Sequence, residues 1–173
     1  SSFKPIVYSA ALDNGYTPAS IALDGPIEID QGPGLPPWRP ENYSQNFLGP
    51  STLRTGIEQS RNVMTVRLAK DMGMPLVAEY AKRFGIYNEM LPVPSMALGA
   101  GETTVLRMIA GYSVIANGGR RVKPTLIDRI QDRSGKTIFK HEERVCEACS
   151  VKEWKRQDEP VITDNRDQVL DPM

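Results

Sequence analysis

The residues with the most evident chemical potential stand at the start of the chain, in Ser1-Ser2-Phe3-Lys4-Pro5. If this segment is helical, the Ser1 hydroxyl and the Lys4 amine lie one turn apart on a shared face. The amine can then take the hydroxyl proton and leave an alkoxide beside a helix N-terminus, the activation that a serine needs to form a covalent intermediate. A solvated lysine is a cation at neutral pH, with a pKa of ~10.4. To act as a base Lys4 needs burial or positive neighbours, both of which disfavour its charged form. Alone, the pair reads more readily as a helix cap and a surface lysine. A second pair, Ser60 and Asn62, flanks Arg61 at a junction between two helical patterns. The hydroxyl can relay a proton, and the carboxamide can both donate to and accept from a peptide-like substrate. Asn62 is also a good N-cap for the helix that follows, and taken alone the cap is the better reading.

The elements that must position these residues are helices. Pro5 suits a first helical turn, and Ile6, Tyr8, Ala10, Ala11 and Leu12 supply apolar contacts until Asn14-Gly15 closes the element. Residues 16–50 are rich in Pro and Gly, which forbids regular helix. Ile27 and Ile29, with Leu23, alternate enough for one short strand, while Trp38, Tyr43 and Phe47 are expected to give this long connection something to pack with. Such connections often border a site. From Ser51, a candidate cap, Leu53, Gly56 and Ile57 form an inward face leading to Ser60. A second helix then runs through Val63, Val66, Leu68 and Ala69 to Met72-Gly73, and a third from Pro75 to Gly85 buries Val77, Tyr80, Ala81 and Phe84. A fourth follows Thr103, with Leu106, Ile109, Ala110, Val114 and Ile115 as its buried stripe. After Gly119 the period shortens: a strand through Leu126 and Ile130, a turn at Asp132-Arg133-Ser134-Gly135, and a returning strand Lys136–Phe139. Beyond Lys140 the sequence is charged and irregular, as an exposed insertion or frayed end would be.

With 173 residues the chain is long enough for a core, and its 21 basic and 21 acidic residues cancel. That balance gives no reason to expect nucleic acid or an acidic membrane surface as a partner. Arg120-Arg121-Val122-Lys123, the densest basic group, reads as a solvated turn. No apolar run approaches the ~20 residues of a membrane span. Cys146 and Cys149 are the only cysteines. Zinc would want four ligands, with only His141 nearby, and a redox motif would want a helix N-terminus in a βαβ context, so the residues favour neither reading.

In order along the chain, Ser1-x-x-Lys4-Pro5 is followed by Trp38-x-Pro40-x-Asn42-Tyr43, then by Gly49-Pro50-x-Thr52-Leu53-Arg54 running into Ser60-x-Asn62. Ala97-Leu98-Gly99 and Tyr112 through Ala116-Asn117-Gly118-Gly119 come later. This series resembles the transpeptidase domain of class A penicillin-binding proteins of the 1A type, and the likeness runs to about Phe139. Serine–lysine, serine–asparagine and lysine–threonine–glycine motifs are known for penicillin-binding proteins and class A β-lactamases. The resemblance implies a mixed α/β (α+β) transpeptidase fold, here mainly its helical part plus an outer β-hairpin. Residues 1–140 would be a partial transpeptidase domain and 141–173 a charged insertion or irregular segment.

The resemblance also implies roles. Ser1 would be the nucleophile acylated by the D-Ala-D-Ala end of peptidoglycan stem peptides, on lipid II-derived glycan strands, or by β-lactams. Lys4 would be its base, Ser60 the proton relay and Asn62 a contact to the substrate amide. The reading needs no cofactor and no metal. It places the parent protein, membrane-anchored and with a glycosyltransferase domain, at the periplasmic face of the inner membrane, where the resemblance implies a short local disulfide or idle thiols for Cys146 and Cys149. The family's third motif, Lys-Thr/Ser-Gly on an edge strand, is absent. Arg54-Thr55-Gly56 comes before Ser60, and Lys136-Thr137-Ile138 lacks the glycine. The motif is expected beyond Met173, and the chain alone is expected to be inactive. Competing readings are a carboxypeptidase or β-lactamase-like hydrolase using the same serine, and a non-catalytic interaction module built on Trp38 and the Pro-rich loop.

Overall fold

A computed structural model describes residues 2–147, 149, 152–153, 156 and 159–172. Ser1, the expected nucleophile, lies outside the described residues.

The core is a stack of helices around α1, Lys4–Asp13. Its Pro5 sits in the first turn and Asn14 follows the last, as the residue types require. Ile6, Val7, Ala10 and Ala11 are fully buried. They pack against α3, Asn62–Met72, and α4, Met74–Arg83, which contribute Leu68, Ala69, Val77, Ala81 and the adjoining Phe84. Burying so much aliphatic and aromatic surface supplies the main stabilisation, at roughly 25 cal/mol per Å². Between α3 and α4 the chain reverses at Gly73, whose φ is +88°. At the far end of α1, Tyr80 donates to Asp13 and accepts from Asn14 Nδ2 at 3.0 Å, locking α4 onto it. The short helix α2, Leu53–Glu58, lies against the same face. Its Gly56 is required by close approach, because a Cβ there would stand 2.6 Å from Tyr8 Oη and 3.0 Å from Met64 Cε.

The connection 16–50 differs from its reading. Its strand is β1, Ile21–Asp24, paired antiparallel with β2, Gly49–Thr52, so that Leu23 faces Pro50 and Asp24 faces Gly49. Ile29 makes only an isolated bridge to Trp38, and Ile27 belongs to no strand. A two-stranded sheet has only edges, which is why Pro50 is tolerated. Tyr43 is fully exposed and Phe47 nearly half-exposed, so these two aromatics do not hold the loop. Buried polar side chains hold it instead. Ser51 lies in β2, and the cap of α2 is Thr52, whose Oγ1 accepts from Thr55 N at 3.2 Å.

A 3-10 turn, Pro94–Leu98, leads to α5, Val105–Ala116, capped by Thr104. The stripe expected to be buried on α5 is not: Val114 is buried, whereas Leu106, Ile109 and Ile115 are exposed. Together with Phe3, Tyr87 and Tyr112 this helix lines an open apolar cleft of about 1050 Å³. Periodicity marks an apolar face but not its partner, and none of the described elements covers this one. β3, Arg129–Gln131, and β4, Thr137–Lys140, form the expected hairpin around Asp132–Gly135, with Leu126 outside it and fully exposed.

The segment after Lys140 is more ordered than its composition suggests. β5, Val145–Glu147, pairs with β6, Val161–Thr163, and Cys146 is joined to Cys149 by a disulfide, with a Cα–Cα distance of 5.7 Å. The chain then returns to the core, where Val169 is buried and its N–H donates to Gly119 O at 2.9 Å. Arg120 and Arg121 are docking points, not a solvated turn. Arg120 Nη1 donates to the carbonyls of Asp164 and Arg166, and Arg121 N to that of Asp167.

Candidate active site

Lys4 stands in the first turn of α1 and is 2% exposed. Its Nζ donates to three oxygens: Ser60 Oγ at 2.9 Å, Ser60 O at 2.5 Å and Asn62 Oδ1 at 2.7 Å. The two motifs, far apart in the sequence, therefore meet at one amine. Burial pushes the Lys4 pKa down from its ordinary value to about 8, and the nearby Arg61 cation adds to the effect. A base of that pKa is neutral in roughly one molecule in ten at pH 7, against fewer than about one in a thousand for a solvated lysine. The obstacle raised by the sequence is thus met by the fold.

Ser60 lies at the tip between α2 and α3 with φ +53°, an uncommon conformation for a residue with a side chain. Such backbone is held only where its surroundings over-determine it. Ser60 N donates to Ile57 O at 3.0 Å and Arg61 N to Gly56 O at 2.8 Å. Asn62 is the first residue of α3, and the N-cap position is taken by Arg61, without a side-chain cap. The competing cap reading therefore fails, because the carboxamide is engaged at both ends. Oδ1 accepts from Lys4, and Nδ2 donates to Glu41 O at 2.9 Å.

Beneath this cluster is a group that the sequence reading missed. Asp24, at the end of β1, is fully buried and Arg61 is 6% exposed. Asp24 Oδ2 accepts from Arg61 Nη2 at 2.6 Å, Arg61 Nε at 2.8 Å and Leu48 N at 3.0 Å, and Oδ1 accepts from Asn42 Nδ2 at 2.8 Å. Breaking such a buried pair on one side costs about 3–5 kcal/mol. The signal available in the sequence was a lone Asp before Gly25 and an Arg between two candidate site residues, with nothing to pair them. Near Phe3, Gly99 has φ +83° and its Cβ position stands 3.2 Å from Phe3 Cβ, so the turn after Pro94–Leu98 closes tightly on the start of α1.

Among the described residues no cluster of three or more His, Cys, Asp or Glu could hold a metal. Likewise, no helix among them is long and apolar enough to cross a membrane. Arg54-Thr55-Gly56 lies in α2, and Lys136-Thr137-Ile138 runs into β4, remote in the chain from the cluster.

The helical core thus presents one buried lysine to a serine and an asparagine that are far from it in the chain. Residues 1–169 match the family of the penicillin binding protein transpeptidase domain, and the chain belongs to that family. Penicillin-binding protein 1A of Rickettsia conorii is 53% identical over 148 residues, covering 86% of this chain and 19% of that protein. The crystal structure of penicillin-binding protein 1A from Haemophilus influenzae superposes with a TM-score of 0.73 at 40% identity, over 81% of this chain and 21% of that one. The PonA1 protein from Mycobacterium tuberculosis, solved in complex with penicillin V, shares the fold at 22% identity and a TM-score of 0.71, over 81% of this chain and 40% of that one. The chain spans about a fifth of the length of the 1A relatives. The mixed fold, mainly helical with outer hairpins, agrees with the expectation from sequence.

Proposed function

We propose that this chain carries the acylation machinery of a peptidoglycan DD-transpeptidase, with Ser1 as nucleophile, Lys4 as base, Ser60 as relay and Asn62 as the contact to the substrate amide. The observation that carries the reading is the buried Lys4 amine, bonded at once to Ser60 and Asn62. Neutral Lys4 takes the Ser1 hydroxyl proton as Ser1 Oγ attacks the D-Ala-D-Ala carbonyl. The Ser1 backbone N–H supplies half of an oxyanion hole for the negative oxygen that develops. Ser60 gives its proton to the leaving D-Ala amine and takes in exchange the one held by Lys4, the peptide bond breaks and an acyl ester remains on Ser1. An amine of a neighbouring strand then attacks the ester, which forms the cross-link and returns the hydroxyl.

β-Lactams would acylate the same serine. That choice of ligand is supported by the family and by the relative solved with penicillin V. On this reading the parent protein works at the periplasmic face of the inner membrane, residues 1–140 belong to the transpeptidase domain and 141–173 to an insertion.

The test is labelling by a fluorescent penicillin of the protein extended to the length of its relatives. Ser1→Ala is expected to abolish labelling with the melting curve retained. Undiminished labelling of that variant would end the proposal. The 173-residue chain alone is expected to label poorly for want of the third motif.

A further inference from the structure

The loop 41–48 exposes Tyr43 and Phe47 to solvent, yet it is fastened from beneath by the Asp24–Arg61 pair. Arg61 Nη1 donates to Ser44 Oγ at 2.8 Å, and Arg61 Nη2 to Asn46 O at 2.6 Å and Asn46 Oδ1 at 3.1 Å. Asn42 Oδ1 accepts from Val63 N at 3.2 Å, and Asn62 Nδ2 reaches Glu41 O. Three consecutive residues after Ser60 are therefore each tied to the same loop. Taken together, these bonds leave the turn bearing Ser60 little freedom to move without breaking the buried pair.

We propose that Arg61, seated on Asp24, is a positioning residue for the Lys4–Ser60–Asn62 cluster: it joins the 41–48 loop to the Ser60 turn, keeps the oxygens around the Lys4 amine together, and fixes a permanent cation beside that amine. The inference rests on the reading of Lys4 as the base. An apolar pair of equal volume would support a core at lower desolvation cost, so stability alone does not call for this arrangement. A lysine could not replace Arg61 without loss, because only a guanidinium reaches Asp24, Ser44 and Asn46 at once through a planar fork.

The other titratable and charged groups on the elements around Lys4 give it no comparable partner. Tyr8 on α1 is held neutral by burial, which raises its pKa, and Tyr80 on α4 is engaged with Asp13 at the far end of the helix. Tyr112 on α5 donates to Ser2 O at 2.7 Å, and the Asp24 charge at the end of β1 is taken up by Arg61. The lowered Lys4 pKa, from burial first and Arg61 second, agrees with this geometry.

The experiment measures the rate of acylation by fluorescent penicillin against pH, in the protein at its relatives' length, for wild type, Arg61→Lys and the double variant Asp24→Asn/Arg61→Gln. Arg61→Lys keeps the cation and loses the fork, so acylation is expected to slow about tenfold with the midpoint of the pH profile unmoved. The neutral double variant is expected to slow further and to shift that midpoint upward by about half a pH unit. Wild-type rates and midpoints in folded variants would overturn the inference. So would loss of the melting transition in both, since the pair would then serve the core as a whole. Absence of labelling in the wild type at every pH would instead show that the serine–lysine reading itself fails, and both proposals with it.

Discussion

The surroundings of Lys4 and the outer stretch 126–163 are built on opposite principles. Around Lys4 the chain buries an amine, a guanidinium, a carboxylate and the Asn42 carboxamide, and bonds each of them to several partners. In the outer stretch β3, β4 and β6 are exposed along their length, and β5 is covered only at Cys146. Isolated two-stranded hairpins are marginal in water. These two rely on local devices: the disulfide in one, and in the other Asp132 Oδ1, which accepts from Ser134 N, Ser134 Oγ and Lys136 N within 2.9 Å. The difference teaches that buried polar groups set geometry through bonds shared among distant elements, whereas a hairpin at the surface depends on devices confined to its own turn or cross-link.

The largest expected effect lies at the buried amine. Lys4→Met should slow acylation by about 10²–10⁴-fold, the usual contribution of a general base, with the melting temperature held within about 5 °C. In the wild type the rate should climb nearly tenfold per pH unit up to about 8 and then level; a flat profile from pH 6 to 9 would break the contrast. Stability should follow the same group. Between about 8 and 10.5 the unfolded chain binds the proton that folded Lys4 has released, so this contribution rises with pH across that window and is lost as pH falls through 8.

Next comes packing. Phe84→Ala, in the core, should cost about 3–5 kcal/mol in urea unfolding, whereas Phe139→Ala, on exposed β4, should cost under about 1. Equal losses would show the two regions to be one cooperative unit. The smallest effect is at the cysteines. Cys146→Ser with Cys149→Ser opens a loop so short that chain entropy is worth at most about 2 kcal/mol. Amides of β5 and β6 should then exchange faster with the core transition unmoved.

The division also explains what could be read in advance. The helices of the core and the hairpin about Asp132 were legible because each is a local pattern of period, cap or turn. Asp24 was not, since its partner Arg61 lies 37 positions away and neither residue carries a local signal. Asn62 misled for a related reason: its type suits a cap, and only the tertiary approach of Lys4 and Glu41 turns it elsewhere. The α5 stripe was seen correctly as apolar, but a period does not say where the covering surface is. Tyr43 and Phe47 were credited with packing that polar bonds beneath them provide.

The backbone at Ser60 carries one last consequence. Side chains branched at Cβ are genuine outliers at a φ of that sign, so threonine, the other small aliphatic alcohol, would enter this site only under conformational penalty. Two hydroxyl-bearing residues that look interchangeable on paper are thereby separated by their shape, and the position proposed as the relay is narrowed to the unbranched one before any chemistry is asked of it.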